Sequence, residues 1–179
     1  MLVKRNFRYS TERLLVSEWH STATVDWNGE DLANIVSDLL TPNVTRSLPP
    51  AWQGTYSVER ANNWIKERDE EGTTLIVIEN ISKAPIGLVI LFESLDGKDI
   101  RLGYLLKESA WGNGFASELV QGLVEWCRNN GVASITGGVE RDNIASIRVL
   151  EKTGFNAEAD NNDSAEIMFT LRTHIPNNP

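Results

Sequence analysis

Two glycines, Gly112 and Gly114, stand in the stretch WGNGFAS, between a strand-like run and a long apolar-periodic segment. Glycine inside a regular element lowers stability, so glycines at such a junction point to a demand on the backbone. Amides at a helix N-terminus have no intrahelical acceptor, and the helix dipole favours negative charge there. The amides of Gly112, Asn113, Gly114, Phe115, Ala116 and Ser117 could therefore line a cradle for a phosphate or pyrophosphate. A tight turn that uses glycine for geometry alone accounts for this stretch equally well. G-N-G-F-A-S also approaches the dinucleotide fingerprint G-x-G-x-x-G, with Ser117 in the third slot. Its place late in the chain, after a meander of strands, differs from the opening of a βαβ unit. No G-K-[ST] follows, which excludes a P-loop.

Other reactive residue types are sparse. Cys127 is the single cysteine, so no internal disulfide forms and a reducing cytoplasm fits. It lies on the apolar face of the helix after the glycines and is expected to pack as a small hydrophobe. His20 and His174 have no ligand spacing, and no metal site is expected. The net charge of −8 repels phosphate backbones and no basic stripe compensates, so no nucleic-acid partner is expected. No apolar run approaches the roughly 20 residues of a membrane span. The opening MLVKRNFRYSTERLL lacks the apolar core of a secretory signal.

The elements that must position the junction follow from periodicity. RLLVSEW (13–19) reads as a strand, and Asn28 to Leu40 carries helical spacing at Leu32, Ile35, Val36, Leu39 and Leu40. TPNVTRSLPPAWQG reads as a loop. Ser57 caps a second helix, with Arg60 where a capping box has its acid. TTLIVIEN, IGLVILFES and IRLGYLL are successive strands. A helix over Phe115–Asn129 ends at Asn130-Gly131, and VASITGGVE is a strand. DNIASIRVLEKTGF is a short helix, DSAEIMFTLRT a last strand, and 175–179 a frayed tail. Three successive strands predict antiparallel pairing, and the later strand–helix–strand unit predicts a parallel neighbour. The length of 179 residues fits one domain, 1–179.

GYLLKESAWGNGFA, with VERDNIASIRVLEKTGF downstream, resembles the GNAT acetyltransferase superfamily, most closely its RimJ/RimL-type branch. TERLLVSEW, the helix leading into TPNVTRSLP and the Trp-Ile of the second helix fit that branch as well. The resemblance spans roughly Ser10 to Arg172. It implies an α/β (α+β mixed) fold with a central, mostly antiparallel sheet of six to seven strands flanked by about four helices. Splayed strands would form a V-shaped acetyl-CoA slot. It further implies an acetyl-CoA-dependent N-acetyltransferase in the cytoplasm, acting as monomer or homodimer on the amine of a small molecule or a protein N-terminus, with no membrane partner.

Carried over residue by residue, the family's loop pattern Arg/Gln-x-x-Gly-x-Gly/Ala falls on Trp111, Gly114 and Ala116, with tryptophan replacing the side chain that contacts phosphate. Leu106 matches the strand residue whose backbone pairs with pantetheine, and Asn143 the asparagine that bonds the pantetheine arm. Direct acyl transfer needs a base for the amine and an acid for the thiolate. The tyrosine acid of Tyr-x-x-x-Gly-Phe falls on Leu150, and Ser146, one turn from Asn143, is its substitute. The glutamate that some relatives use as base falls on Gly138. Glu140, on the same strand face, and Glu93 are the candidates in its place, with a solvated carboxylate the plain alternative for Glu140. Trp52 could wall the acceptor cleft, while Trp19, Trp27 and Trp64 are expected to pack. A CoA-binding regulatory module without catalysis and a dinucleotide-binding domain are the readings from other classes.

Overall fold

The computed structural model describes residues 5–21, 31–159 and 163–173. Along the chain come β1 (Arg8–Ser10), β2 (Leu14–Glu18), α1 (Leu32–Leu39), α2 (Pro42–Thr45), α3 (Val58–Glu71), β3 (Thr73–Glu79), β4 (Pro85–Glu93), β5 (Asp99–Leu106), α4 (Phe115–Asn129), β6 (Ser134–Glu140), α5 (Ile144–Lys152), β7 (Asn156–Ala157) and β8 (Glu166–Arg172). One eight-stranded sheet has the order β1-β2-β3-β4-β5-β6-β8-β7. The β5–β6 pair is parallel and every other pair is antiparallel.

The runs in β3 and β4 are apolar throughout because helices cover both faces of the sheet. Leu75, Val77, Val89 and Leu91 join the core built on α4 and α5. Ile76, Ile78, Leu88 and Ile90 alternate with them into a second core under α1 and α3. In that second core Trp64 meets Trp19, Trp52 and Tyr56 edge-on. The buried guanidinium of Arg68 lies 4.1 Å from the Trp52 ring centroid and pairs at 3.0 Å with Glu71. Trp19 and Trp64 thus pack as expected.

Several elements go beyond the periodicity. β1 and β7 are too short to show alternation, and both are held by a longer neighbour. The stretch read as loop contains α2, where Thr41 caps by accepting from the Val44 amide and Pro42 takes the first turn. A 3₁₀ turn follows at Pro50–Trp52. Arg60 donates to the carbonyls of Ala51, Gln53 and Thr55 and stacks on Tyr56, so the residue in the capping-box place pins the preceding loop. The first expected helix is described from its cap, Asp31, onward. Asn28–Glu30, Trp27, His174 and the tail 175–179 lie outside the described residues.

The feature that makes a site is the seam between β5 and β6. They pair only from Asp99↔Ser134 to Arg101↔Thr136. Beyond that point β5 stays on β4 as far as Leu106, while β6 stays on β8 as far as Glu140. The sheet opens into a V at Leu102, with α4 starting at one arm and α5 at the other.

Candidate active site

The glycine loop runs from a 3₁₀ turn at Glu108–Ala110 into α4. Gly112 has φ 73° and Gly114, the N-cap, φ 78°. Both values lie in the left-handed region that side chains disfavour. A Cβ at Gly112 would meet no atom within 4 Å, so the space in front of it is open. The first amide to reach back along α4 is that of Glu118, to the Gly114 carbonyl at 3.2 Å. The amides of Phe115, Ala116 and Ser117 precede it and have no intrahelical acceptor. The Asn113 side chain shapes the loop from outside, donating to the carbonyls of Ala110 and Trp111.

Trp111, in the place of Arg/Gln, donates its indole Nε1–H to the Leu106 carbonyl at 2.8 Å, tying the loop to the end of β5. A cation reaches the loop from a distant part of the chain. Arg13, just before β2, donates to the Asn113 carbonyl at 2.9 Å and to Glu118 at 2.7 Å, and lies 4.2 Å from the Phe115 ring centroid. One of its guanidinium nitrogens is 3.5 Å from where a Gly114 Cβ would sit. The sequence carries no local sign of this, because the residues lie a hundred positions apart.

A cavity of about 820 Å³ fills the V. Of the residues singled out from the sequence, Leu106, Trp111, Gly112, Gly114, Phe115, Ala116, Ser117, Glu140, Asn143, Ser146 and Trp52 all line it. Asn113 does not. Glu93 does not either: it is paired at 2.7 Å with Arg5, which removes it as a base. Asn143 caps α5, its Oδ1 accepting from the Ser146 amide at 3.2 Å. Leu150 is 1% exposed and belongs to the core.

Two carboxylates meet on one wall of the cavity. Glu140 on β6 is the register partner of Glu166 on β8, and both line the cavity. A Cβ at Gly138 would lie 2.9 Å from Glu166 Oε2. A carboxylate from the neighbouring strand thus lies over Gly138, which sequence spacing along β6 cannot reveal. On the other side, Tyr104 of β5 also lines the cavity, with its hydroxyl buried and unpartnered. Burial pushes its ionisation above the ordinary phenol value, and nearby Ser146 acts in the opposite direction. Cys127 is wholly buried on α4, and burial pushes its thiol up to about 12. Among the described residues no cluster of His, Cys, Asp and Glu could hold a metal, and no helix is long and apolar enough to cross a membrane.

The acetyltransferase (GNAT) domain family matches residues 25–156, and the chain belongs to it. Solved structures agree in fold. A GNAT-family acetyltransferase from Bacillus anthracis superposes with a TM-score of 0.76 at 18% identity, over 93% of this chain and 99% of that one. RimL, a ribosomal L7/L12 alpha-N-protein acetyltransferase solved with coenzyme A, gives 0.69 at 18%, over 90% and 95%. A ribosomal-protein-S5-alanine acetyltransferase from Vibrio fischeri gives 0.61 at 15%, over 94% and 97%. No curated protein sequence matches the chain.

The protein is an acetyltransferase that uses acetyl-CoA. The residues present fit that molecule: the space before Gly112 is open, the amides after it are orphaned, and a buried hydroxyl in the V has no partner.

Proposed function

We propose that the protein transfers the acetyl group of acetyl-CoA directly to a primary amine in the cytoplasm, and that the amine is an α-amine such as a protein N-terminus. The observation that carries this is the Glu166 carboxylate over Gly138, facing Glu140 across two strands of the cavity wall. Acetyl-CoA supplies the activated acetyl group. The loop amides and Arg13 hold its phosphates, the edge of β5 up to Leu106, whose carbonyl Trp111 already occupies, and the Asn143 side chain hold its arm, and Glu166 takes the proton of the attacking amine. Glu140 shares that negative field and draws the ammonium form into the mouth of the cleft. Ser146 and Tyr104 line the opposite side, where the thiolate departs.

The substrate class follows from proton supply. At pH 7 roughly 10–20% of an α-amine is neutral, against about 0.04% of a lysine side chain. Glu166 is solvent-exposed, so the amine gives up its proton beside water rather than in a closed relay. An amine that is already partly neutral asks least of the carboxylate.

The test is a panel of amines with acetyl-CoA, read as release of free CoA thiol. The panel contains a short peptide with a free N-terminus, an N-blocked lysine peptide, spermidine and an aminoglycoside. The free N-terminus is expected to turn over fastest. Faster turnover of the lysine peptide overturns the α-amine assignment. Binding of acetyl-CoA with no turnover of any amine favours a regulatory CoA-binding module.

A further inference from the structure

Several buried side-chain polar atoms of the described residues lack a hydrogen-bond partner: the hydroxyls of Ser17, Thr74 and Tyr104, the Trp64 indole nitrogen, and Nε and Nη1 of Arg68. Tyr104 alone of these lines the slot. Buried polar groups in native proteins are nearly always satisfied, and an exception asks for a partner that arrives later. Tyr104 sits just past the point where β5 parts from β6, on the strand face it shares with Leu102 and Leu106. Its polar neighbour is Ser146, yet no hydrogen bond of good geometry joins the two hydroxyls.

Chemistry separates these hydroxyls. A thiol ionises near 8.5, a phenol near 10 and water near 15.7. An aliphatic hydroxyl holds its proton about as tightly as water, so serine is badly matched to a thiolate, whereas a phenol, even one raised by burial, is the more acidic donor of the two. Leu150, where many relatives carry a tyrosine, is core. Resting on the acetyl-transfer reading, we propose that Tyr104 is the catalytic proton donor to the departing CoA thiolate, with Ser146 beside it as a positioning residue that bonds the phenol only once the cosubstrate is seated. When the carbon–sulfur bond breaks, its electron pair stays on sulfur, and Tyr104 Oη gives its proton there to form the free thiol. Glu166 releases the proton taken from the amine to solvent, and the Tyr104 phenolate recovers one from solvent.

The test compares coenzyme A with desulfo-coenzyme A, titrated calorimetrically into wild type, Tyr104→Phe and Ser146→Ala at pH 9, where most of an ordinary thiol is ionised. A hydrogen bond to a charged group is worth at least about tenfold in affinity. Wild type is expected to prefer coenzyme A by about that factor. Tyr104→Phe should lose the preference while binding desulfo-coenzyme A unchanged, and Ser146→Ala should keep part of it. With the fastest amine of the panel, Tyr104→Phe should lower kcat by about 10–100-fold and leave KM for acetyl-CoA nearly constant. Since the hydroxyl has no partner in the free protein, its removal should not lower the unliganded Tm. The same thiol preference in Tyr104→Phe as in wild type, or an undiminished kcat, overturns the assignment. Should wild type bind neither nucleotide, the acetyl-transfer reading falls with it. Binding and turnover that are indifferent to Tyr104→Phe remove this inference alone.

Discussion

Glu166 and Gly138 are complementary: the carboxylate of one occupies the space that any side chain on the other would enter. Gly138→Ala therefore tests the base without touching it. The contact would be 2.9 Å to the end of a flexible side chain and 3.2 Å to Met168 Sδ, so the strand can hold while the carboxylate is displaced. The expected result is a roughly 10-fold fall in kcat/KM for the amine, with acetyl-CoA affinity unchanged by calorimetry. Glu166→Gln should lower the rate further, by about 100-fold at pH 7. That deficit should shrink toward pH 9, as more of the amine is neutral without help. A deficit constant from pH 7 to 9 would assign Glu166 to binding.

Gly114→Asp should abolish the rise in Tm that acetyl-CoA gives wild type. It puts a negative charge and a Cβ at the cradle. The left-handed backbone there costs a non-glycine residue about 1–2 kcal/mol, and Arg13 beside it offsets part of this by pairing with the new carboxylate. Gly112→Ala is the control: its Cβ meets nothing, so it should lower the unliganded Tm by a few degrees and keep most of the ligand-induced shift. Equal shifts in Gly114→Asp and wild type would take the phosphates away from this loop.

The order of the larger elements and the glycine turn into α4 were legible in the sequence because each is local. Helical spacing marks α4, apolar runs mark β3 and β4, and Asn143 with Ser146 stand one turn apart on α5. What was not legible depends on register between distant strands. Glu166 reaches Gly138 only because β8 pairs with β6 in one register, and Arg13 reaches Asn113 across a hundred positions. Tyr104 reads as one more apolar strand residue until the V shows that its hydroxyl is orphaned. Glu93 had the right residue type at a strand end, but Arg5 claims it.

Cys127→Ala should leave turnover intact and cost about 1 kcal/mol of stability, a typical figure for a small buried truncation. With its thiol held near 12, Cys127 should resist iodoacetamide in the folded protein at pH 8 and react fully in denaturant, by mass spectrometry. An acetyl adduct on Cys127 during turnover would force a two-step route through the cysteine.

Glu118 couples the glycine loop to acid stability. Burial acts to raise its ionisation, but hydrogen bonds from Thr11 Oγ1 and from the Arg13 amide and Nε outweigh it and hold the carboxyl below its ordinary range. A folded value below the unfolded one means that the stabilisation is complete above the ordinary carboxylate range and is lost as pH falls through the lower, folded value. Glu118→Gln should therefore lower Tm at pH 7 and flatten the acid limb of Tm against pH. It should also weaken acetyl-CoA binding severalfold by loosening Arg13. Parallel acid limbs in variant and wild type would show that the pair contributes nothing to this linkage.

The part of β5 beyond Arg101 is an unpaired strand edge. Proteins normally blunt such edges, because a free edge recruits strands from other chains and starts aggregation. Here the bare rungs lie inside the sheet, flanked by β6 and closed at the far end by the Trp111 indole. Another strand would have to enter between β5 and β6, which close on each other at Arg101, whereas an arm bearing amides can lie along the rungs that remain. The opening that lets a cosubstrate in thus also shields the chain from its own copies, and needs no lysine or proline gatekeeper on that edge.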